Sequence, residues 1–91
     1  MICANDAIAA RFMQTLDSAG INVPEQVCVT GVDDVKYAQL LQVPLTTWRQ
    51  PCADIGAAAF NAMHTRLDEP SLAPHEILLS GELVVRSSTT P

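Results

Sequence analysis

The apolar residues of this chain change their spacing several times, and each change marks an element. Met1 to Ala4 is a short apolar run that reads as a strand and ends at Asn5-Asp6, a good N-cap pair. From Ala7 to Ala19, Ile8, Phe12 and Leu16 recur at i, i+4, and Ala9 and Met13 widen the stripe. That pattern predicts an amphipathic helix, with Gly20 as its C-terminal stop. A connector containing Pro24 follows, and then Val27-Cys28-Val29-Thr30-Gly31 forms a continuous β-branched run. A run without alternation predicts a strand buried on both faces, as in a parallel sheet. Strand, helix and strand within roughly 30 residues have the spacing of a βαβ unit with a right-handed crossover.

Beyond Gly31 the segment Val32-Asp33-Asp34-Val35 leaves the carboxyl end of that strand, and Lys36 to Leu41 predicts a short helix. Leu45 to Gln50 is strand-like. Pro51 suits the first position of a second helix running through Ile55, Ala59, Met63 and Leu67. Residues 68–74 hold two prolines and read as a loop, followed by two short strands, Ile77-Leu78-Leu79 and Leu83-Val84-Val85, and a polar tail from Ser87 to Pro91. The predicted fold class is α/β, an incomplete Rossmann-like parallel sheet. Two long helices cannot cover both faces of such a sheet, so further polypeptide is expected upstream.

Composition sharpens this picture. The chain is 48% hydrophobic but only 4% aromatic, so its apolar content is mostly small aliphatic side chains. A 91-residue domain buries only roughly 60 to 65% of its unfolded surface, which points to a larger domain or an oligomer as the natural setting. The net charge is −5, and the cations Arg11, Lys36, Arg49, Arg66 and Arg86 are scattered. Without a basic face the segment is not expected to bind nucleic acid or anionic lipid by itself. No apolar run approaches the ~20 residues that span a bilayer, and the start of the chain lacks the features of a secretory signal. Cys3, Cys28 and Cys52 are odd in number and form no C-x-x-C pair, which fits small hydrophobes in a reduced, cytoplasmic setting.

The candidate chemistry lies at two predicted strand ends. Ligands of open α/β sheets bind outside the carboxyl ends of the strands, which is where Asn5-Asp6 and Asp33-Asp34 fall. An Asn amide both donates and accepts, and a carboxylate accepts two or more hydrogen bonds, a set suited to a polyhydroxy or heterocyclic ligand. The plainer readings are helix capping for Asn5-Asp6 and a solvated turn for Asp33-Asp34. No catalytic group, metal or cofactor is expected: His64 and His75 lack companions at zinc-ligand spacing, and no serine sits in a G-x-S-x-G elbow.

Several motifs in order resemble the LacI/GalR type of bacterial transcriptional regulator, whose effector domains look like periplasmic sugar-binding proteins. They are Cys3-Ala4-Asn5-Asp6 with its Ala-rich helix, Gly20-Ile21-Asn22-Val23-Pro24, Val29-Thr30-Gly31-Val32-Asp33-Asp34, Pro44 to Pro51 with Gly56, and Glu82 to Ser88. Each is weak alone, but together they span nearly the whole chain. The resemblance implies a periplasmic-binding-protein type I-like effector domain of which this chain is about the last quarter, without the helix-turn-helix. It implies that residues 1–44 and 76–91 belong to a C-terminal lobe and 45–75 to a crossover and a helix of the N-terminal lobe. Asn5 and Asp33 would contact the ligand, Asp34 and Trp48 are further candidates, and Ala10, Arg11, Gln14, Leu40 and Leu41 would lie at a homodimer interface. Val32, Arg11 and Trp48 depart from the usual aromatic, Gly and Val or Ile.

The function this implies is a dimeric cytoplasmic repressor that senses a sugar or small metabolite and touches DNA only through its helix-turn-helix. The alternatives are a sugar-binding transport protein of the same fold, and a small enzyme or Mg²⁺-dependent receiver built on Asp33-Asp34. Three unpaired cysteines and the tail motif argue against the former, and Lys36 follows too closely for the latter.

Overall fold

Asn5 is extended, and its side chain accepts a hydrogen bond from the Ile8 N–H at 2.9 Å, so the first helix, α1 (Asp6–Ser18), starts at the predicted cap. At its other end Gly20 adopts a positive φ of 74°, which a glycine takes without steric cost. The computed structural model describes residues 1–90, and Pro91, the last residue of the polar tail, lies outside them. After α1 come strand β1 (Thr30–Val32), a turn of 3-10 helix (Lys36–Gln39), strand β2 (Thr46–Arg49), helix α2 (Cys52–Asp68) and strand β3 (Glu82–Val84).

The sheet is mixed. β1 and β2 pair in parallel, with Thr30 opposite Thr46 and Val32 opposite Trp48, while β2 and β3 run antiparallel. The N-terminal apolar run joins β1 through a single parallel bridge, Ile2 to Thr30. Regular pairing therefore covers only the end of the predicted Val27–Gly31 strand. Upstream of it the tail takes over: Val29 N–H donates to the Ser88 carbonyl at 3.1 Å. The buried Ser88 hydroxyl donates to the Val29 carbonyl at 2.6 Å and accepts from Thr46 N–H at 2.8 Å. A serine side chain thus does the work of a ladder residue between the two strand approaches.

Some expectations change. Pro51 is the N-cap of α2 and not its first helical residue. Ile77-Leu78-Leu79 forms no strand; a strand needs a partner ladder, and none of the described residues supplies one. The buried line of α1 runs through Asp6, Ala9, Met13 and Leu16, leaving Ile8 exposed, because the helix is turned to bring Asp6 inward.

By compactness the chain divides after Gln50 and after Gly81. The first unit, residues 1–50 with the stretch from Glu82, holds the core of Cys3, Ala9, Met13, Leu16, Val29, Ala38 and Leu45. β2 belongs to it because it pairs with β1 and β3. In the second unit, Pro51–Gly81, no residue of α2 is buried, and Ile55, Ala59 and Met63 line a groove with Ile77, Leu78 and Leu79.

Two glycines should respond oppositely to alanine. A Cβ at Gly31 would lie 2.3 Å from Asp6 Oδ1 and 3.1 Å from a Leu45 methyl, whereas one at Gly56, inside α2, meets nothing within 4 Å. Gly31→Ala is expected to lose about 1–3 kcal/mol through overpacking. Gly56→Ala should gain about 0.5–1 kcal/mol in helix stability. Urea titration followed by circular dichroism reads both signs.

Candidate functional site

The carboxyl edge of the parallel strands is organised by a buried carboxylate. Asp6 is 0% exposed. Its Oδ1 accepts from the Thr47 hydroxyl at 2.6 Å and its Oδ2 from the Val35 N–H at 2.9 Å. A buried carboxylate is tolerated only when its oxygens are hydrogen-bonded, and Asp6 gains further from lying in the first turn of α1, at the positive end of the helix. Glycine at position 31 is what leaves room for it. One side chain thereby joins the start of α1, the middle of β2 and the segment leaving β1.

That segment carries unusual backbone. Asp33 has φ 121° and Asp34 φ 57°, two successive residues in the region that side-chain-bearing residues avoid. Such conformations cost on the order of 1–3 kcal/mol each and persist only where the surroundings over-determine them. Here they do. Asp33 N–H donates to the Trp48 carbonyl at 2.9 Å, Asp34 N–H to Thr47 Oγ1 at 3.4 Å, and Gln50 Nε2 to Asp33 Oδ1 at 2.6 Å.

Asp34 is clamped from two sides. Arg49 Nε donates to its Oδ2 and an Arg86 guanidinium nitrogen to its Oδ1, each at 2.7 Å. Arg86 also donates to the Leu45 carbonyl at 2.9 Å, and Arg49 reaches Glu82. Burial alone would push the Asp34 carboxyl up, but the hydrogen bonds and charges of Arg49 and Arg86 outweigh it and hold the group below its ordinary value. The Asp34 hydrogen bond correspondingly raises the Arg49 guanidinium.

The predicted site residues fall as follows. Asn5, Asp33 and Asp34 sit at one edge, with Asp6 tying the two strand tips together. Asn5 is half-buried; its Oδ1 serves the cap, and its amide nitrogen has no partner among the described residues. Asp33 has one oxygen engaged by Gln50, and Asp34 has both engaged by arginines. Trp48 is 44% exposed. Gln50 escaped the sequence reading although it directly follows β2 (Thr46–Arg49), the next parallel strand, so the same strand-end rule applied to it. For Asp6 and Thr47 nothing beyond their residue type signals the buried bond.

Away from this edge, Ala10, Arg11, Gln14 and Leu41 line one groove between α1 and the segments Ile21–Val23 and Leu41–Val43, and Arg11 donates to Gln14 Oε1 at 2.7 Å. Leu40 is not in that groove and is 78% exposed. Among the described residues no helix is long and apolar enough to cross a membrane, and no group of three or more His, Cys, Asp or Glu is placed to hold a metal ion.

Comparison with known proteins matches residues 1–89 to the periplasmic binding protein-like domain. The HTH-type transcriptional regulator YvdE of Bacillus subtilis strain 168 is 35% identical over 88 residues, covering 97% of this chain and 28% of that protein. The ribose operon repressor of Escherichia coli K12 is 34% identical over 84 residues, 92% of this chain and 26% of the repressor. The chain therefore spans about a quarter of the length of these curated relatives. Among solved structures, a LacI family regulator from Enterococcus faecium with bound ribose superposes with a TM-score of 0.83 at 27% identity, covering 99% of this chain and 34% of that one. The lac repressor dimer bound to operator and an anti-inducer gives 0.87 at 28% identity, covering 98% and 31%. A sequence match over residues 1–89, and a backbone that follows these regulators, place the chain in the periplasmic binding protein-like domain family, in the form that LacI-type transcriptional regulators carry.

Proposed function

We propose that this chain supplies the ligand-facing strand tips of the effector domain of a LacI-type transcriptional repressor, and that the ligand is a sugar or related polar metabolite. The observation that carries this reading is the braced Asp33-Asp34 turn beside Asn5: strained backbone held by five side-chain and backbone hydrogen bonds at the sheet edge where α/β proteins take their ligands. Asn5 offers amide donors, Asp33 offers the carboxylate oxygen that Gln50 leaves, and the exposed Trp48 ring offers a surface on which a sugar face stacks. Asp34 does not bind ligand in this scheme; its two arginines make it the clamp that aims Asp33. The relatives named above are regulators, one solved with ribose and one on its operator, which favours a regulator over a transport protein.

In the whole protein, binding of effector shifts operator affinity only by as much as the effector prefers one arrangement over the other. DNA contact belongs to a helix-turn-helix outside these residues, and the acidic chain has no basic face to offer it. The working form is a cytoplasmic homodimer without catalytic activity, and the groove bearing Ala10, Arg11, Gln14 and Leu41, with the neighbouring Leu40, is the face for the second subunit.

In the full-length regulator, a panel of pentoses, hexoses and disaccharides screened by thermal shift and then titrated calorimetrically tests the site. Asp33→Ala should weaken the sugar selected by about tenfold or more, the value of a hydrogen bond to a charged group. Unchanged affinity would remove Asp33 from the site. Asn5→Ser should weaken it too while keeping the helix cap, so that the melting temperature of the free protein stays near wild type.

The pH response has a definite sign. Asp34 in the folded protein lies below its ordinary value of 3.8, so its ion pairs stabilise fully above that value and are lost as pH falls through the lower folded one. Stability should hold from neutral pH down to about 4 and then decline, and Asp34→Asn should be weaker at neutral pH, flatter in the acid limb and closer to wild type at its acid end. An identical acid limb in the variant would show that other groups set it.

A further inference from the structure

The chain passes from its first compact unit to its second after Gln50 and returns after Gly81. Arg49 is the last residue of β2 and Glu82 the first of β3, and the two are cross-strand partners in the antiparallel register. A single guanidinium therefore stands beside both crossings. Its Nε donates to Asp34 Oδ2, and another of its nitrogens donates to Glu82 Oε1. Asp34 and Glu82 share no bond; two like charges, one on the turn that bears Asp33 and one on the returning strand, are held together by the cation between them.

The two arginines on Asp34 differ in kind. The Arg86 side chain is 15% exposed and also holds the Leu45 carbonyl, so it acts as a fixed brace. The Arg49 side chain is 49% exposed and, among the described residues, is bound only through carboxylates, so its bonds break and re-form at low cost. A planar guanidinium serves two carboxylates at once with fixed geometry, which a lysine ammonium on a flexible stem does not reproduce.

We propose that Arg49 is a positioning residue that ties the ligand-facing Asp33-Asp34 turn to the two strands through which the chain enters and leaves the Pro51–Gly81 unit, so that occupation of the turn is felt at both crossings. The ligand part of this statement rests on the function proposed above. The tie itself is tested without ligand, so its failure and the failure of that function are told apart.

Amide hydrogen exchange on the full chain reads the tie through the Asp33 N–H, which is bonded to Trp48, with the Cys3 N–H, bonded to Thr30, as a control inside the same unit. Glu82→Gln, a change at an exposed side chain, should speed exchange at Asp33 about twofold to fivefold, the range for an exposed ion pair, and leave Cys3 unchanged. In an Arg49→Gln background the same Glu82→Gln change should add nothing at Asp33, and in Arg49→Lys it should act less than in wild type. No effect of Glu82→Gln at Asp33 overturns the proposal, as does an equal rise at Cys3 or an effect that survives the loss of Arg49. Should Arg49→Gln fail to fold, Glu82→Gln alone and within Arg49→Lys still decide, because a lysine that fully replaces the arginine contradicts the two-carboxylate tie.

Discussion

The hydrogen bonds that Thr47 and Val35 donate to the buried Asp6 carboxylate are the constraint on which the rest of the first unit depends. Through them the N-terminus of α1, the centre of β2 and the exit of β1 share one acceptor. Removing either donor would leave a buried oxygen unpaired at a cost of about 1–3 kcal/mol, so the three elements keep or lose their placement together. Gly31 follows as a consequence, since any side chain there collides with Asp6. The inward turn of α1 follows too: the helix buries the line beginning at Asp6, at the expense of Ile8.

With the strand tips joined, the chain sustains backbone that would not survive alone. Asp33 and Asp34 both take positive φ, and among the described residues their restraints come from β2, from Gln50 just after it, and from the segment after β3. Acidic residues at the turn thus divide the labour. Asp34 surrenders both oxygens to arginines and fixes the backbone, whereas Asp33 has one oxygen held by Gln50 and the other without a hydrogen bond among the described residues. Neighbouring residues of the same type are distinguished by their surroundings alone.

The second unit shows the opposite condition. α2 forms along its predicted length, yet Ile55, Phe60, Met63 and Leu67 remain exposed and the Ile77–Leu79 run finds no strand to pair with among the described residues. Local signals are strong enough to shape a helix, whereas a strand is defined by another chain segment, so the same apolar composition yields an element in one case and an open groove in the other. The tail reverses the point: Ser87-Ser88 reads as a polar terminus, but the Ser88 side chain is buried and bridges Val29 to Thr46.

The sequence by itself determined the α/β class, the cap and length of α1, the β2 run, α2 and the placement of Asn5 and Asp33 at strand ends, because periodicity, capping and turn chemistry act over a few neighbouring residues. Tertiary structure alone decided that Asp6 is buried, that Asp34 is a clamp, that Gln50 supports Asp33 and that β3 runs antiparallel. Each of those rests on partners separated by long stretches of chain, Asp6 from Thr47 by 41 positions and Asp34 from Arg86 by 52. Which of two adjacent aspartates is spent on architecture is set by the arginines that reach it, and nothing in the local sequence carries that information.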